Sequence, residues 1–305
     1  MRNNTQRENV NVETSSAHAR GRRSPAAMAV RRFRRNRLAV GGAVFLVVLV
    51  LIAVLAPVLV RQSPNAVDLG ALRQAPSSEH WLGTDSSGRD VFARLVHAAQ
   101  VSLMVGIFAA LLSVLIGTVV GAVAGLLGGW IDTTLMRVAD MVLSFPPIVV
   151  IIVLAGILGP GIPILVFSIA ATTWPTPARM VRGVTLAVRE REYLQAARVA
   201  GARSMWLLRR HIVPAAMGQV VVVGTLAVAG AILVEAVLSF LGLGVQPPQA
   251  SWGNMLNDAQ SLTVIQSMPW LWLPPGLAIA LTVLAVNFVG DGLRDAVDPR
   301  QTGRP

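Results

Sequence analysis

Long apolar runs are the feature that most limits how this chain can fold. The 23 residues from Leu38 to Val60 carry no charged side chain, and several later stretches reach or approach that length. About 20 consecutive apolar residues in a helix cross the hydrocarbon core of a bilayer. Transmembrane β-strands alternate apolar and polar residues instead. The pattern therefore predicts an all-α, polytopic membrane protein.

Six transmembrane helices are predicted from these runs. They are placed at residues 38–60, 101–127, 134–158, 162–178, 215–240 and 273–290. The first run is longer than the apolar core of a signal peptide and follows a polar segment, so we expect a retained helix. Pro146-Pro147 interrupts the third run and is expected to kink it, because proline removes a backbone hydrogen bond. Three prolines crowd the fourth run: Pro163, Pro175 and Pro177.

The distribution of arginine predicts the orientation. All 26 basic residues are Arg; ten precede Leu38, and eight lie between Arg179 and Arg210. Cytoplasmic loops carry an excess of basic residues. With odd-numbered spans running outward, 22 of the 26 arginines lie inside, so the N- and C-termini are both predicted to be cytoplasmic. Basic clusters beside apolar runs are typical of contacts with anionic membrane lipid, and nucleic acid is not an expected partner.

This topology predicts five divisions of the chain. They are a basic cytoplasmic tail with a candidate interfacial helix (1–37), the first transmembrane helix (38–60), an extracytoplasmic segment (61–97), a transmembrane core (98–295) and a cytoplasmic tail (296–305).

Residues suited to catalysis or metal binding are sparse. The chain has no Cys, which excludes disulfides and thiolate chemistry, and its four His are scattered without an HExxH pattern. It has no Lys, so it has no standard P-loop. His80, Asp85 and Ser86 suggest a hydrolytic triad, but the Thr84–Ser87 stretch fits helix capping better. We expect no catalytic residue, no cofactor and no metal site in this chain.

Three glycines of the second span are spaced for close helix packing. Gly117, Gly121 and Gly125 form two overlapping GxxxG patterns. Two interpretations are open: packing within this chain, which is favoured, and a seam against a second membrane subunit.

The loop at residues 189–214 has the most specific pattern. It predicts two short helices, with Gly201 taking positive φ at the end of the first and Pro214 at the start of the fifth span. Spacing of three and four residues places these on one face of the first helix: Tyr193, Ala196, Ala197 and Ala200. An apolar strip is predicted on the second: Met205, Leu208 and Ile212. A basic helix on the membrane surface is the alternative, but a face of small residues fits a protein groove better.

This segment resembles the EAA loop of ABC importer permeases, the cytoplasmic coupling helix that docks on the ATPase. The match is Gln195-Ala196-Ala197, Gly201 and Ile212-Val213-Pro214. The usual Glu is Gln195 here, and Glu192 would supply a carboxylate one turn earlier. The resemblance implies these ATPase-coupling residues: Glu192, Tyr193, Gln195, Ala196, Ala197, Gly201 and Pro214.

Three further segments look like the dipeptide, oligopeptide and nickel branch of that family. They are His80–Asp85 with Gly88-Arg89-Asp90, Glu235–Gly244 with Ser251–Met255, and Gly290–Asp295 with Asp298-Pro299. The resemblance implies the type I ABC importer permease fold in a bacterial inner membrane. It also implies a homologous second permease subunit, two ATPase subunits that bind ATP and Mg²⁺, and an extracytoplasmic substrate-binding protein. Importers of that branch carry peptides, nickel complexes and other small solutes.

Glu235 is the one carboxylate well inside an apolar run. At 1.5 Å per residue it lies roughly 30 Å from the start of the fifth span, near the outer face. Acidic residues in membranes are costly. Either Glu235 is a partly hydrated interfacial carboxylate, or it is a pathway or gate residue that faces the partner permease.

Two other transport functions are alternatives. A secondary transporter needs ionisable or unwound sites near mid-membrane, and apart from Glu235 the charges keep to the ends of the spans. A passive channel needs a selectivity filter, and the sequence has no ring-forming acidic or carbonyl filter motif.

Overall fold

The computed structural model describes residues 25–60, 62–257 and 260–297. Within them the helices are α1 (Pro25–Arg35), α2 (Arg37–Leu59), α3 (Val91–Leu127), α4 (Gly129–Ser144), α5 (Pro147–Leu158), α6 (Ile162–Thr173), α7 (Pro175–Arg189), α8 (Glu192–Val199), α9 (Ser204–Leu207), α10 (Val213–Phe240), α11 (Trp252–Asn257), α12 (Leu262–Ser267) and α13 (Pro269–Val297). A π-helical turn, Leu208–Ile212, joins α9 to α10. These ranges contain no β-strand, and the prediction of an all-α chain is confirmed there.

Four helical stretches are long and apolar enough to cross a membrane. They are Arg37–Leu59, Val91–Leu127, Ser204–Phe240 and Pro269–Val297. A fifth crossing is counted if α4 and α5, which meet at 88°, form one broken span. The break predicted at Pro146-Pro147 is confirmed. The predicted fourth span is divided between α6, a 12-residue apolar helix, and the start of α7.

α3 begins at Val91, ten residues before the predicted start of the second span at residue 101, and its 37 residues exceed the length that crosses a bilayer. The Oδ1 atom of Asp90 accepts the backbone N–H of Ala93 at 2.7 Å and caps the helix. The sequence prediction began the span where the charged residues end, whereas this cap starts the helix ten residues earlier. Asp85 belongs to the stretch that is predicted to cap a helix, but it binds Arg89 (Nε to Oδ2, 2.7 Å) and accepts hydrogen bonds from backbone amides of its own loop.

α3 is the central helix of the bundle and packs against α2, α6, α7 and α10. α13 packs between α2 and α10, and α1 lies against α13, with the Phe33 ring beside Gly292. On α2 the buried residues are small: Ala39, Gly42, Ala53 and Ala56. Its larger Val and Leu side chains point outward. An apolar outer surface of this kind is suited to lipid.

Some predicted features lie outside the described residues. These are residues 1–24 of the N-terminal tail, the Asp298-Pro299 motif and residues 298–305 of the C-terminal tail. The predicted interfacial helix lies partly within the described range, where α1 covers Pro25–Arg35 and carries three basic residues in its last turn.

Candidate coupling site and buried carboxylate

The loop after α7 folds as two short helices divided at Gly201, as predicted. Gly201 adopts φ +86°, and its N–H donates to the carbonyl of Arg198 at 2.9 Å. The N–H of Ala202 donates to the carbonyl of Ala197 at 3.0 Å. This pair of bonds is the Schellman arrangement that ends a helix at a glycine. It sets the angle at which the chain leaves α8.

A small apolar core holds the loop against the membrane helices. Five fully or nearly buried side chains form it: Leu126, Val188, Leu194, Leu207 and Ile212. Leu207 and Ile212 are five residues apart, and both are 0% exposed. The π-helical turn between them adds one residue and so brings that spacing onto one face. The predicted apolar strip is wrong at Met205, which is 57% exposed.

The outward face of α8 carries most of the predicted coupling residues. Exposed positions are Glu192, Tyr193, Gln195, Ala196, Gly201 and Pro214, whereas Ala197 is half-buried against the core beneath. The Nε2 atom of Gln195 donates to the carbonyl of Glu190 at 3.2 Å. The side chain that replaces the usual Glu therefore makes a local bond to its own loop.

The structure adds two apolar residues to this surface that the sequence interpretation left out. Val199 is 90% exposed on α8, and Trp206 is 50% exposed on α9. The ring centroid of His211 lies 5.1 Å from that of Trp206 and 5.6 Å from that of Tyr193. Contiguous exposed apolar side chains mark sites of protein or membrane contact. Val199 faces away from buried Leu194. The two residues are five positions apart on the same helix, so the sequence already contained the signal that would have placed Val199 on the exposed face.

The predicted glycine motif lies between α3 and α7, within this chain. A Cβ atom added to Gly117 would lie 2.6 Å from Cγ of Pro177, and one added to Gly121 would lie 2.2 Å from the carbonyl oxygen of Ala178. One added to Gly125 would lie 2.7 Å from Cβ of Thr185. The missing side chains therefore let the two backbones approach closely. Since α7 leads into the coupling loop, this seam attaches the loop to the central helix.

Two ion pairs join α7 to α4. The guanidinium of Arg182 donates from Nε to Oδ1 of Asp132 at 2.5 Å and from Nη2 to Oδ2 at 2.7 Å. Arg179 donates to Asp140 further along the same two helices. The sequence interpretation missed both pairs, because partners 50 and 39 residues apart leave no local pattern.

Glu235 is completely buried among helices of its own chain. Its Oε2 atom accepts the hydroxyl of Ser102 at 3.0 Å, and its Oε1 atom accepts the hydroxyl of Ser239 at 2.7 Å. The backbone N–H of Trp252 donates to Ser102 Oγ at 3.2 Å, and that of Val245 donates to Ser239 Oγ at 3.0 Å. The interpretation of a partly hydrated interfacial carboxylate is therefore wrong, because the side chain is 0% exposed.

The serines around Glu235 connect three parts of the fold. Ser102 is on α3, Ser239 is on α10, and Trp252 opens α11, where its indole Nε1 donates to the carbonyl of Leu95 at 3.2 Å. Buried polar groups that are satisfied in this way specify one arrangement of the surrounding helices. The carboxylate thus fixes the segment after α10 onto the ends of two spans.

The residues that suggest a hydrolytic triad in the sequence have other partners in the structure. Nδ1 of His80 lies 2.8 Å from Oδ2 of Asp90, the residue that caps α3. Asp85 pairs with Arg89 and also lies 3.5 Å from Nε of Arg94. Within residues 25–60, 62–257 and 260–297, no three His, Asp or Glu side chains are grouped as metal ligands would be.

Comparison with known proteins decides the family. Residues 117–303, more than half of the chain, match the family described as binding-protein-dependent transport system inner membrane component. The chain belongs to this family of transport permeases. Residues 24–76 of the permease also match the N-terminal transmembrane domain of oligopeptide transport permease C. The resemblance found in the coupling loop and the three other motifs is thereby confirmed.

Full-length relatives agree with that assignment. The permease is 49% identical over 276 residues to a protein named as a peptide permease from Brucella suis biovar 1, covering 90% of this chain and 91% of the relative. It is 44% identical over 274 residues to a glutathione transport system permease of Shigella flexneri serotype 5b, covering 90% of each chain. It is 41% identical over 277 residues to a dipeptide transport system permease of Alkalihalophilus pseudofirmus, covering 91% of this chain and 90% of the relative.

Membership of this family identifies the permease as the membrane subunit of an ABC importer in the bacterial inner membrane. It is not an enzyme, because ATP is hydrolysed by a separate subunit of such importers. Importers of this family assemble from permeases, ATPases and a substrate-binding protein.

Proposed function

We propose that this permease forms half of the translocation pathway of an ATP-driven importer for peptides or a related small solute. Relatives named for peptide, dipeptide and glutathione transport support this substrate class, and a nickel complex is a further candidate from the same branch. The observation that carries the proposal is the coupling loop. Its outward face is exposed, and its second helix continues without a break into the span that ends at Phe240.

Six spans with both termini in the cytoplasm are part of this proposal. The bent pair α4 and α5 supplies the third crossing, and α6 with the start of α7 supplies the fourth. The arginine distribution supports this orientation, since it places the coupling loop and the eight arginines of residues 179–210 inside. The segment before α3 and the segment between α10 and α13 then face outward, toward the substrate-binding protein.

The complete importer contains a second, homologous permease subunit, two ATPase subunits with their ATP and Mg²⁺, and an extracytoplasmic substrate-binding protein. The exposed face of α8 contacts an ATPase subunit. Val199 and Ala196 fill a groove of the ATPase there, and Gly201 sets the direction of the chain that follows. The permease itself holds no cofactor.

Glu235 acts in this proposal as a gate residue through the segment that it fixes. The carboxylate holds α11 against α3 and α10 through the hydroxyls of Ser102 and Ser239. Any movement that opens the outer end of the pathway changes this packing. Glu235 therefore controls the outer gate from inside its own chain rather than by facing the partner permease.

Uptake in membrane vesicles tests the proposal. Vesicles that contain the permease pair, the binding protein and the ATPases are expected to accumulate a radiolabelled dipeptide or glutathione only when ATP is supplied. Vesicles without the ATPases are the control. Uptake that persists without them, driven by an ion gradient, would contradict the proposal in favour of a secondary transporter.

A substitution in the coupling loop tests the ATPase contact. Gly201→Asp places a side chain at φ +86° on the exposed face, so it is expected to abolish ATP-dependent uptake while the permease still inserts. Gly183→Asp, at an exposed glycine of α7 with no atom within 4 Å, is the matched control. If the Gly201 variant retains both uptake and ATPase co-purification, the coupling role of this loop is wrong.

A further inference from the structure

The two ion pairs join α4 to α7 and also orient one helix relative to the other. Arg182 makes two parallel bonds to Asp132, and Arg179 makes a second contact to Asp140, two turns further along α4. A guanidinium bound to both oxygens of one carboxylate fixes direction as well as distance. The Asp132 side chain is 15% exposed and that of Arg182 34% exposed, so water screens this pair less than it screens a fully exposed one. The side chains of Arg179 and Asp140 are 52% and 46% exposed, so the Arg182–Asp132 pair contributes most to the spacing and rotation of α4 on α7.

Both of these helices meet a proline break at the end away from the coupling loop. α4 ends at Ser144, and α5 continues from Pro147 at 88° to it. α7 begins at Pro175, which has no N–H to donate to the last turn of α6. On the other side of the breaks, α5 and α6 pack together on α3 and α10 in one apolar cluster, which contains Ile151, Leu165, Val105 and Leu238. The chain thus has one helix pair, α4 with α7, and a second, α5 with α6. One connection bends by 88° at Pro146-Pro147, and the other passes through Trp174, in helical conformation, into Pro175.

α7 connects the coupling loop to these two helix pairs. The loop follows α7 directly, and Val188 of α7 lies in the same apolar core as Leu194 and Leu207. The glycine seam holds α7 to α3, but α4 is held to α7 largely by polar contacts, since Ala139 is the buried residue of α4. The ion pairs are therefore the contacts best placed to make α4 follow α7.

We infer that the Arg182–Asp132 and Arg179–Asp140 pairs make α4 move with α7 and with the part of α3 that the glycine seam holds to α7, and so carry displacement of the coupling loop to the two proline breaks. The four side chains are positioning residues for transport. When the ATPases displace the loop, α7 moves first, α4 follows through the ion pairs, and the breaks at Pro147 and Pro175 absorb the rotation. The α5–α6 pair then changes its angle to the rest of the bundle. This inference rests on the proposed function, because it needs an ATPase that moves the loop.

Charge variants of the complete importer test the inference. The permease is reconstituted in liposomes with its partner permease, ATPases and binding protein, and uptake of a radiolabelled dipeptide or glutathione is measured beside phosphate release. Asp132→Asn and Arg182→Gln are each expected to lower uptake per complex about three- to tenfold, which lies within the range for changes along a coupled network. Phosphate release is expected to fall much less, so more ATP is consumed for each molecule imported.

The exchange variant, Asp132→Arg with Arg182→Asp, restores the attraction and is expected to recover about half of the uptake or more, because paired charges are coupled. Arg137→Gln removes an exposed arginine of α4, the helix that carries Asp132. This variant is the matched control, and its uptake and ATP use should resemble those of the unaltered importer. Equal uptake and equal ATP use in Asp132→Asn and in the unaltered importer would overturn the inference. So would an exchange variant no better than the single variants.

Crosslinking gives a second measurement that does not depend on the charges. The chain has no native Cys, so Asp140→Cys with Arg179→Cys places a unique pair of thiols between the two helices. A short bifunctional thiol reagent is expected to raise the uptake of this variant, because it replaces the ion pair with a covalent link. If the reagent lowers uptake instead, the helices separate during transport and the inference is wrong.

Failure of the proposed function would give a different result from failure of this inference. An unaltered importer that shows no ATP-dependent uptake would overturn the proposed function, whereas the inference is tested by comparing the variants with an active unaltered importer.

Discussion

Gly121 is the position where the packing of this permease can be tested most sharply. A Cβ atom there would lie 2.2 Å from the carbonyl oxygen of Ala178 and 2.9 Å from the amide nitrogen of Arg182. Both are backbone atoms, so they cannot move aside as the end of a flexible side chain can. For Gly121→Ala, α3 and α7 must therefore separate by about 1 Å to restore ordinary contact, since packed interiors leave no spare room.

Two opposing terms set the size of the effect. Adding one methyl group to a tightly packed contact costs about 1–3 kcal/mol, and the clash with backbone places Gly121→Ala in the upper part of that range. Replacing Gly by Ala inside a helix contributes about 1 kcal/mol of stability. The net loss is therefore about 1–2 kcal/mol. Gly156→Ala, at a helical glycine with no atom within 4 Å, has only the favourable term and should match or exceed the unaltered permease.

Unfolding of the purified permease in mild detergent measures both variants. Sodium dodecyl sulfate is titrated in, and helix content is followed by circular dichroism. The expected order of stability is Gly156→Ala, then the unaltered permease, then Gly121→Ala. A Gly121→Ala permease that unfolds at the same detergent concentration as Gly156→Ala would refute the reasoning, because the seam would then have room for a side chain.

Three further predictions concern single side chains. Glu235→Gln is expected to lower dipeptide or glutathione uptake severalfold at normal membrane abundance, because an amide cannot accept both serine hydroxyls; unchanged uptake, normalised by immunoblot, would remove its gating role. Gly201→Ala is expected to weaken ATPase co-purification, since a non-glycine residue at positive φ costs about 1–2 kcal/mol; Gly183→Ala is the control and should leave it unchanged. Asp90→Ala is expected to destabilise α3 by about 1 kcal/mol through loss of its cap on Ala93, measured by the same detergent titration; Asp90→Asn should recover most of that loss.

Much of the fold follows from patterns within short windows of the sequence. The run from Leu38 to Val60 predicts a span because its length and composition are enough, and α2 differs from it by one residue at each end. Pro146-Pro147 predicts a break because proline cannot continue the hydrogen-bond ladder. The fourth span was harder to predict, because its prolines take up first-turn positions of two consecutive helices, where proline is tolerated.

In the coupling loop, too, some features follow from the local sequence and others depend on packing. Gly201 predicted the end of α8 because positive φ is a property of one residue. The apolar strip of the second helix was predicted with a regular α-helical period, and the π-helical turn shifted it so that Leu207, not Met205, is buried. A π-helical turn depends on how α9 and α10 pack on α3 and α7, and so it has no local signal.

By itself, the sequence determined that the chain is helical, that it crosses a membrane several times and that it belongs with ABC importer permeases. Those properties depend on hydrophobicity, backbone preference and motif spacing, which act over one to three helical turns. Tertiary structure alone decided that Asp132 meets Arg182, that three glycines of α3 face α7, and that Glu235 is buried against Ser102, 133 residues away. These contacts join residues far apart in the chain, and their free energy appears only when the helices that carry them have packed.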